Sequence, residues 1–139
     1  MQGNWEFYND MGVQTQKLNY KDGKKDGPVE DYYKNGILKA KYSYKDDLLE
    51  GYYVEYSING NVLSEGWYKN DNREGQWNFY NPFGIISNIK YYDTGILIGY
   101  EELFHVDGKK EVELYYDNDN IRSYSYFDTL GNVIKETII

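Results

Sequence analysis

The sequence predicts an all-β fold: an elongated antiparallel meander of 24-residue hairpin units, about 5.5 of them, giving roughly 10–12 short strands. Three observations predict it. Glycines recur at Gly3, Gly27, Gly51, Gly75 and Gly99, and again at Gly12, Gly36, Gly60, Gly84 and Gly108. Aromatics keep the same step at Tyr8, Tyr32, Tyr56, Tyr80 and Phe104, and at Tyr20, Tyr44, Tyr68, Tyr92 and Tyr116. Turn residues separate the halves of every unit. Series that share one phase are the mark of stacked supersecondary units, each touching mainly its neighbours.

Each unit opens with a half such as "GQWNFY" and closes with one such as "ISNIKYY". Both are short and rich in aromatic or β-branched residues, as strands are. After the first half come "NDMG", "YKNG", "SING", "NPFG" and "HVDG", where a closing glycine suits a hairpin loop ending at positive φ. After the second half, Gly23, Asp47, Asp71, Gly95 and Asp119 share one slot. Glycine and Asx tolerate the left-handed region, so that slot reads as backbone geometry rather than chemistry. A sixth, shortened unit runs from about Arg122 to Ile139, with Phe127 and Gly131 one residue early relative to the step. Units therefore start near residues 3, 27, 51, 75, 99 and 122 of a single repeat domain, 1–139. No segment shows sustained helical periodicity, and Pro28 and Pro82 sit near turn glycines.

Composition bounds the partners. Mean hydropathy is −0.84 and 27% of residues are charged, yet 19% are aromatic, including 18 tyrosines. Disordered chains lack such rings, so a folded protein with a thin, tyrosine-built core is expected. There is no cysteine and hence no disulfide. No apolar run is long enough to span a bilayer, and "MQGNWEFYND" lacks the basic start and apolar core of a signal peptide. The expected location is cytoplasmic if the chain is complete and extracytoplasmic if a leader preceded it. A net charge of −8 and a pI near 4.6 oppose nucleic acid and anionic membranes and suit a basic protein.

"EGYYVEYSINGNVLSEGWYKNDNREGQWNFYNPFG" and "YKDGKKDGPVEDYYKNGILKAKYSYKDD" resemble the bacterial variant of MORN repeats (membrane occupation and recognition nexus). The resemblance covers essentially the whole chain. It departs from the pattern at Glu101, which replaces an aromatic or aliphatic residue, and in the last unit, which lacks the opening glycine. Proteins of this variant are often described as antitoxins of toxin–antitoxin pairs. The resemblance thus implies an antitoxin or immunity role; the family's name implies lipid-headgroup binding, which the charge opposes.

Chemistry-bearing motifs are sparse, and no enzyme and no cofactor are expected. His105, the single histidine, falls in a turn slot held elsewhere by Asn9, Tyr33, Ser57 and Asn81. The pairs Asp46–Asp47 and Glu101–Glu102 are adjacent carboxylates, which in a turn face water and on a strand point to opposite faces. "DNDN" at 117–120 lacks the glycine and closing glutamate of a calcium loop and reads as a turn. Trp67 has Asn19, Ser43, Tyr91 and Tyr115 at its slot, so no choline-type tryptophan cage recurs.

Slots that vary between units are free to serve a partner. Two such rows, Trp5, Val29, Tyr53, Trp77, Glu101 and Phe7, Asp31, Glu55, Phe79, Leu103, fall on one face by strand alternation. The candidate partner-binding residues are Trp5, Phe7, Tyr53, Trp77, Phe79 and Glu101; the same face could equally be half of the core. The leading expectation is a non-enzymatic protein-binding scaffold, an antitoxin or immunity protein for a basic toxin. A surface or cell-wall carbohydrate-binding protein is the alternative. The C-terminal "GNVIKETII" is the least guarded edge, expected to be covered by a second copy of the chain or by a strand from the partner, unless its isoleucines cap the local core.

Overall fold

The computed structural model describes residues 1–139 and contains no helix. Fifteen strands form one antiparallel sheet: β1 (Gly3–Tyr8), β2 (Gln14–Lys21), β3 (Lys24–Lys25), β4 (Gly27–Tyr32), β5 (Leu38–Lys45), β6 (Leu48–Leu49), β7 (Gly51–Tyr56), β8 (Val62–Lys69), β9 (Asn72–Tyr80), β10 (Ile86–Asp93), β11 (Ile96–Leu97), β12 (Gly99–Phe104), β13 (Lys110–Asp117), β14 (Asn120–Phe127) and β15 (Val133–Ile138). The path follows chain order, with β3, β6 and β11 as two-residue extensions against β2, β5 and β10. This is the meander that the period implied.

Two hairpin types alternate. The glycine-closed turns put Gly12, Gly36, Gly60, Gly84, Gly108 and Gly131 at positive φ. Within them Asn9, Asn81 and Asp128 accept backbone N–H bonds from two and four residues ahead, as Asx turns do. The other hairpins have two-residue loops with both residues at positive φ, from Asp22–Gly23 to Asn118–Asp119, the mark of type I′ turns. "DNDN" forms one of them, with Asp117 opposite Asn120.

These I′ turns stack along one side of the sheet. The N–H of Asp47 donates to the Lys25 carbonyl, Asp71 to Leu49 and Asp119 to Leu97, at 2.9, 3.0 and 3.0 Å. In return the carboxylates of Asp47, Asp71 and Asp119 accept from the N–H of Lys25, Leu49 and Leu97. The aspartates in the glycine-or-Asx slot therefore do chemistry as well as tolerate left-handed geometry, a correction to the purely steric reading.

A wide bulge follows each I′ turn. Tyr20 opposes Lys25 but Lys17 opposes Glu30, so two extra residues, Asp26 and Gly27, enter between them. In the last unit Tyr116 opposes Ile121 and Tyr115 opposes Ser123, an insertion of only one. Arg122 stands where the earlier units have glycine, and the shorter bulge accounts for the early step of the sixth unit.

Register sorts the side chains into two faces. The first carries Trp5 opposite Leu18, Val29 opposite Tyr42, Tyr53 opposite Gly66, Trp77 opposite Lys90 and Glu101 opposite Leu114. The repeated tyrosines Tyr20, Tyr44, Tyr68, Tyr92 and Tyr116 lie half-buried on it. Only 10 of 139 residues are buried, because one sheet without a covering layer shelters little. Of the apolar ones, Leu18, Val29, Ala40, Trp77 and Leu97 belong to the first face and Val54 to the second.

Candidate functional site

The first face brings the sequence-selected residues together, but mostly as core. Trp77 has 0% exposure. Its ring is met by Tyr53, Tyr68 and Phe79 at centroid distances of 5.7, 5.1 and 6.2 Å, and by the Arg73 guanidinium at 4.6 Å. Its Nε1–H donates to the Trp67 carbonyl at 3.1 Å. Glu101 is also buried, pairing with Lys90 at 3.3 Å and accepting from Asn88 at 3.0 Å and Tyr116 at 3.1 Å. Neither offers surface to a partner in this conformation, so of the two readings of the face the core one holds at its centre. Tyr53 and Phe79 are half-buried in the same stack, and only Trp5 and Phe7, on edge strand β1, are open to solvent.

The second face holds what the slot argument passed over. Tyr52 opposes Trp67 across β7 and β8, with rings 5.8 Å apart. Trp67 and Gln76 line one depression, Tyr91 and Tyr100 another, and Tyr100 faces Tyr115 at 5.1 Å. The result is an aromatic lane crossing six strands, about 24 Å long at the usual strand spacing. Its rings are solvent-accessible: Trp67 is 56% exposed, Tyr100 50% and Tyr52 45%. No single 24-residue series revealed it, because it interleaves two: Tyr52 and Tyr100 come from first strands of units, Trp67, Tyr91 and Tyr115 from second strands.

Carboxylates border the lane. Glu50 and Glu74 flank Trp67 on the side of the I′ turns, and Glu65, Glu102 and Glu113 lie on the other. Three glutamates of this face have an ammonium beside them. Glu30 takes Lys17 and Lys41, and Lys110 spans Glu102 and Glu113 at 3.0 and 2.7 Å. Glu65 differs. It accepts from the hydroxyls of Tyr52 and Tyr80 (2.7 Å for Tyr80) and from the Asn78 amide at 3.3 Å, all neutral donors. The bond from Tyr52, then that from Tyr80, holds the Glu65 carboxyl below the usual carboxylate range. Burial first, and the bond to Glu65 second, pushes the Tyr80 hydroxyl up to about 12.

His105 sits exposed at a turn start, 3.6 Å from Glu111. Ile138 at the end of the edge strand β15 and Ile139 just beyond it are 82% and 71% exposed, so they cap no local core and the edge presents apolar side chains to solvent.

No protein-family model matches the chain, and no curated protein does. Solved structures give fold-level likenesses. The chain is similar to part of the Glycosylation Associate Protein (Gap123) complex from Streptococcus agalactiae, with 17% identity and a TM-score of 0.40 over 91% of this chain and 19% of that one. It is similar to part of TarM, with 11% identity and a TM-score of 0.42 over 86% and 20%. Accessory secretory protein 1,2 and 3 of Streptococcus pneumoniae gives 12% identity and a TM-score of 0.31 over 88% and 18%. The chain thus spans about a fifth of the length of these chains, and at such scores the likeness says nothing about activity.

Proposed function

We propose that the chain is a non-enzymatic repeat scaffold that binds a basic protein partner, in the manner of an antitoxin or immunity protein, through the aromatic lane of its second face. The observation that carries this reading is the lane itself: rings exposed in a row, held by cross-strand pairing and bordered by carboxylates. Aromatic side chains on rigid elements are the usual anchors of protein recognition. The acidic border and the net charge of −8 favour a cationic partner and raise its rate of encounter. The MORN-variant resemblance agrees with such a role.

A second reading has its own support. Flat rings at strand spacing, flanked by Gln76 and Asn78, also suit stacking against a neutral oligosaccharide. The test is affinity capture at physiological salt with wild type and with Trp67→Ser/Tyr100→Ser as bait, followed by mass spectrometry and a glycan array. A basic protein retained by wild type and lost by the variant supports the scaffold. Equal retention by both overturns the lane as its binding surface, and glycan binding without protein capture transfers the lane to the second reading.

A further inference from the structure

Resting on the scaffold reading, we propose that Glu65, Tyr52 and Trp67 form a subsite for one cationic side chain of the partner, arginine in preference to lysine. The three line a shallow depression of about 300 Å³ with Gly66, Gln76 and Asn78. Glu30, Glu102 and Glu113 on this face each have an ammonium beside them. Glu65 is instead oriented by three neutral donors, which fix its position and leave its charge uncompensated. Oε1 accepts from Asn78 and Tyr80 and Oε2 from Tyr52 alone, so Oε2 keeps lone-pair capacity beyond those bonds.

The rings complete the site. Tyr52 and Trp67 stand 5.8 Å apart at an interplanar angle of 59°, so a flat cation seated on the exposed indole face meets the tyrosine as well. Tryptophan is the strongest cation–π partner. A guanidinium satisfies both elements at once, stacking on the indole while its planar fork reaches the carboxylate; an ammonium acts as a point charge, and a quaternary ammonium donates no hydrogen bond. The chain already makes a related arrangement on the opposite face of the sheet, where Arg73 lies over Trp77 at 4.6 Å and donates to the Tyr92 hydroxyl at 3.2 Å. Tyr52 and Trp67 present the same pair of ring types, with Glu65 added and the cation left for a partner to supply.

The probes are Nα-acetyl-arginine amide, Nα-acetyl-lysine amide, choline, and the uncharged carbon isostere of choline. The readout is the indole N–H resonance of Trp67, assigned with Trp67→Phe. The expected order of affinity is arginine, lysine, choline, with the isostere inert, and Glu65→Gln weakens arginine binding about tenfold. Binding of the wild type to arginine also weakens as salt rises, a measurement independent of how Glu65→Gln folds. Choline binding tighter than arginine, an isostere binding as well as arginine, or salt-insensitive binding each overturns the subsite. If no cation moves the Trp67 resonance while the lane variant still loses the captured protein, the subsite fails and the scaffold stands; if capture survives the lane variant, the scaffold reading fails whatever the probes do.

Discussion

Trp77 lies flat over Gly66. Gly66 sits where the pairing of β8 with β9 shifts, between Glu65 and Trp67, and a Cβ built on it would fall 2.6 Å from Cγ of the indole, far inside contact distance. Gly66 is the strand glycine whose φ lies outside the left-handed region, so what the position requires is the missing side chain and not backbone freedom. The indole covers the backbone that a strand glycine would leave bare, and Gly66 in turn lets it sink to zero exposure on a sheet that has no second layer.

Coupling between the two sites follows. Gly66→Ala should cost about 2–3 kcal/mol, by forcing the indole from its seat. Trp77→Ala should cost about 3–5 kcal/mol. With the indole gone, the three atoms nearest to an alanine Cβ at 66 are gone too, and the site recovers the ordinary preference of a strand for alanine over glycine. The double variant should therefore be more stable than the sum of the singles by about 2 kcal/mol, read from urea denaturation. Strict additivity would show that the ring does not rest on the glycine.

The repeat, the turns and the grouping of side chains by face were legible in the sequence, because glycine and tyrosine recur wherever backbone geometry or packing repeats. Gly66 was not. Its slot holds Leu18, Tyr42, Lys90 and Leu114 in the other units, and the reason for a glycine there is a tryptophan on the next strand. The lane was missed for a related cause. Trp67 was weighed against its own 24-residue series, whereas its neighbours in space are Tyr52 and Gln76. Slot variation picked out Trp77 and Glu101 as free to serve a partner, yet variation also marks where one unit packs differently in its own core.

Thr94 occupies a left-handed position, φ 48°, at the first residue of the I′ turn before Gly95. A β-branched residue is strained there, and Asn-Gly is the preferred pair for this turn. Thr94→Asn keeps the backbone N–H that donates to Glu74 at 2.8 Å and should stabilise by about 1 kcal/mol. A Tm higher by about 3 °C is the expected reading. An unchanged or lowered Tm would mean that the threonine side chain, which donates to Asp93, outweighs the strain.

The Glu101 cluster is an ion pair whose acid is more sheltered than its base. Glu101→Ala leaves Lys90, Asn88 and Tyr116 without their acceptor, a cost of about 2–3 kcal/mol because Lys90 keeps some access to water. Replacing both charges, with Lys90→Met and Glu101→Leu, should recover most of that loss, since apolar residues of like volume serve a buried pair's place well. Thermal melts of the three variants decide it. A double variant no better than Glu101→Ala would show that the carboxylate's bonds to Asn88 and Tyr116, more than the pair itself, hold β12 in place.

Alkaline stability reports on the tyrosine–glutamate bonds of the second face. The hydroxyls of Tyr80 and Tyr32 are raised from 10.0 to about 12 in the folded chain, Tyr80 by burial and then by its bond to Glu65, Tyr32 chiefly by its bond to Glu30. A folded pKa above the unfolded one means that the native state holds the proton longer. The stabilisation is fully present below pH 10 and is lost as pH climbs from 10 towards 12. Glu65 and Glu30 work the other way: held below their usual 4.5, they stabilise above that value, and the contribution disappears as pH falls through their folded pKa. Tm should therefore be flat through neutral pH and decline on both sides. Glu65→Gln removes the charge to which Tyr52 and Tyr80 both donate, so the tyrosinate absorbance of the variant should show two hydroxyls titrating earlier, while Tyr116, raised by burial and by Glu101 on the other face, stays near 12. Tyrosines that all titrate at 10 in the folded wild type, or a Tm that holds from pH 10 to 12, would dismiss the hydroxyl–carboxylate bonds as a source of stability.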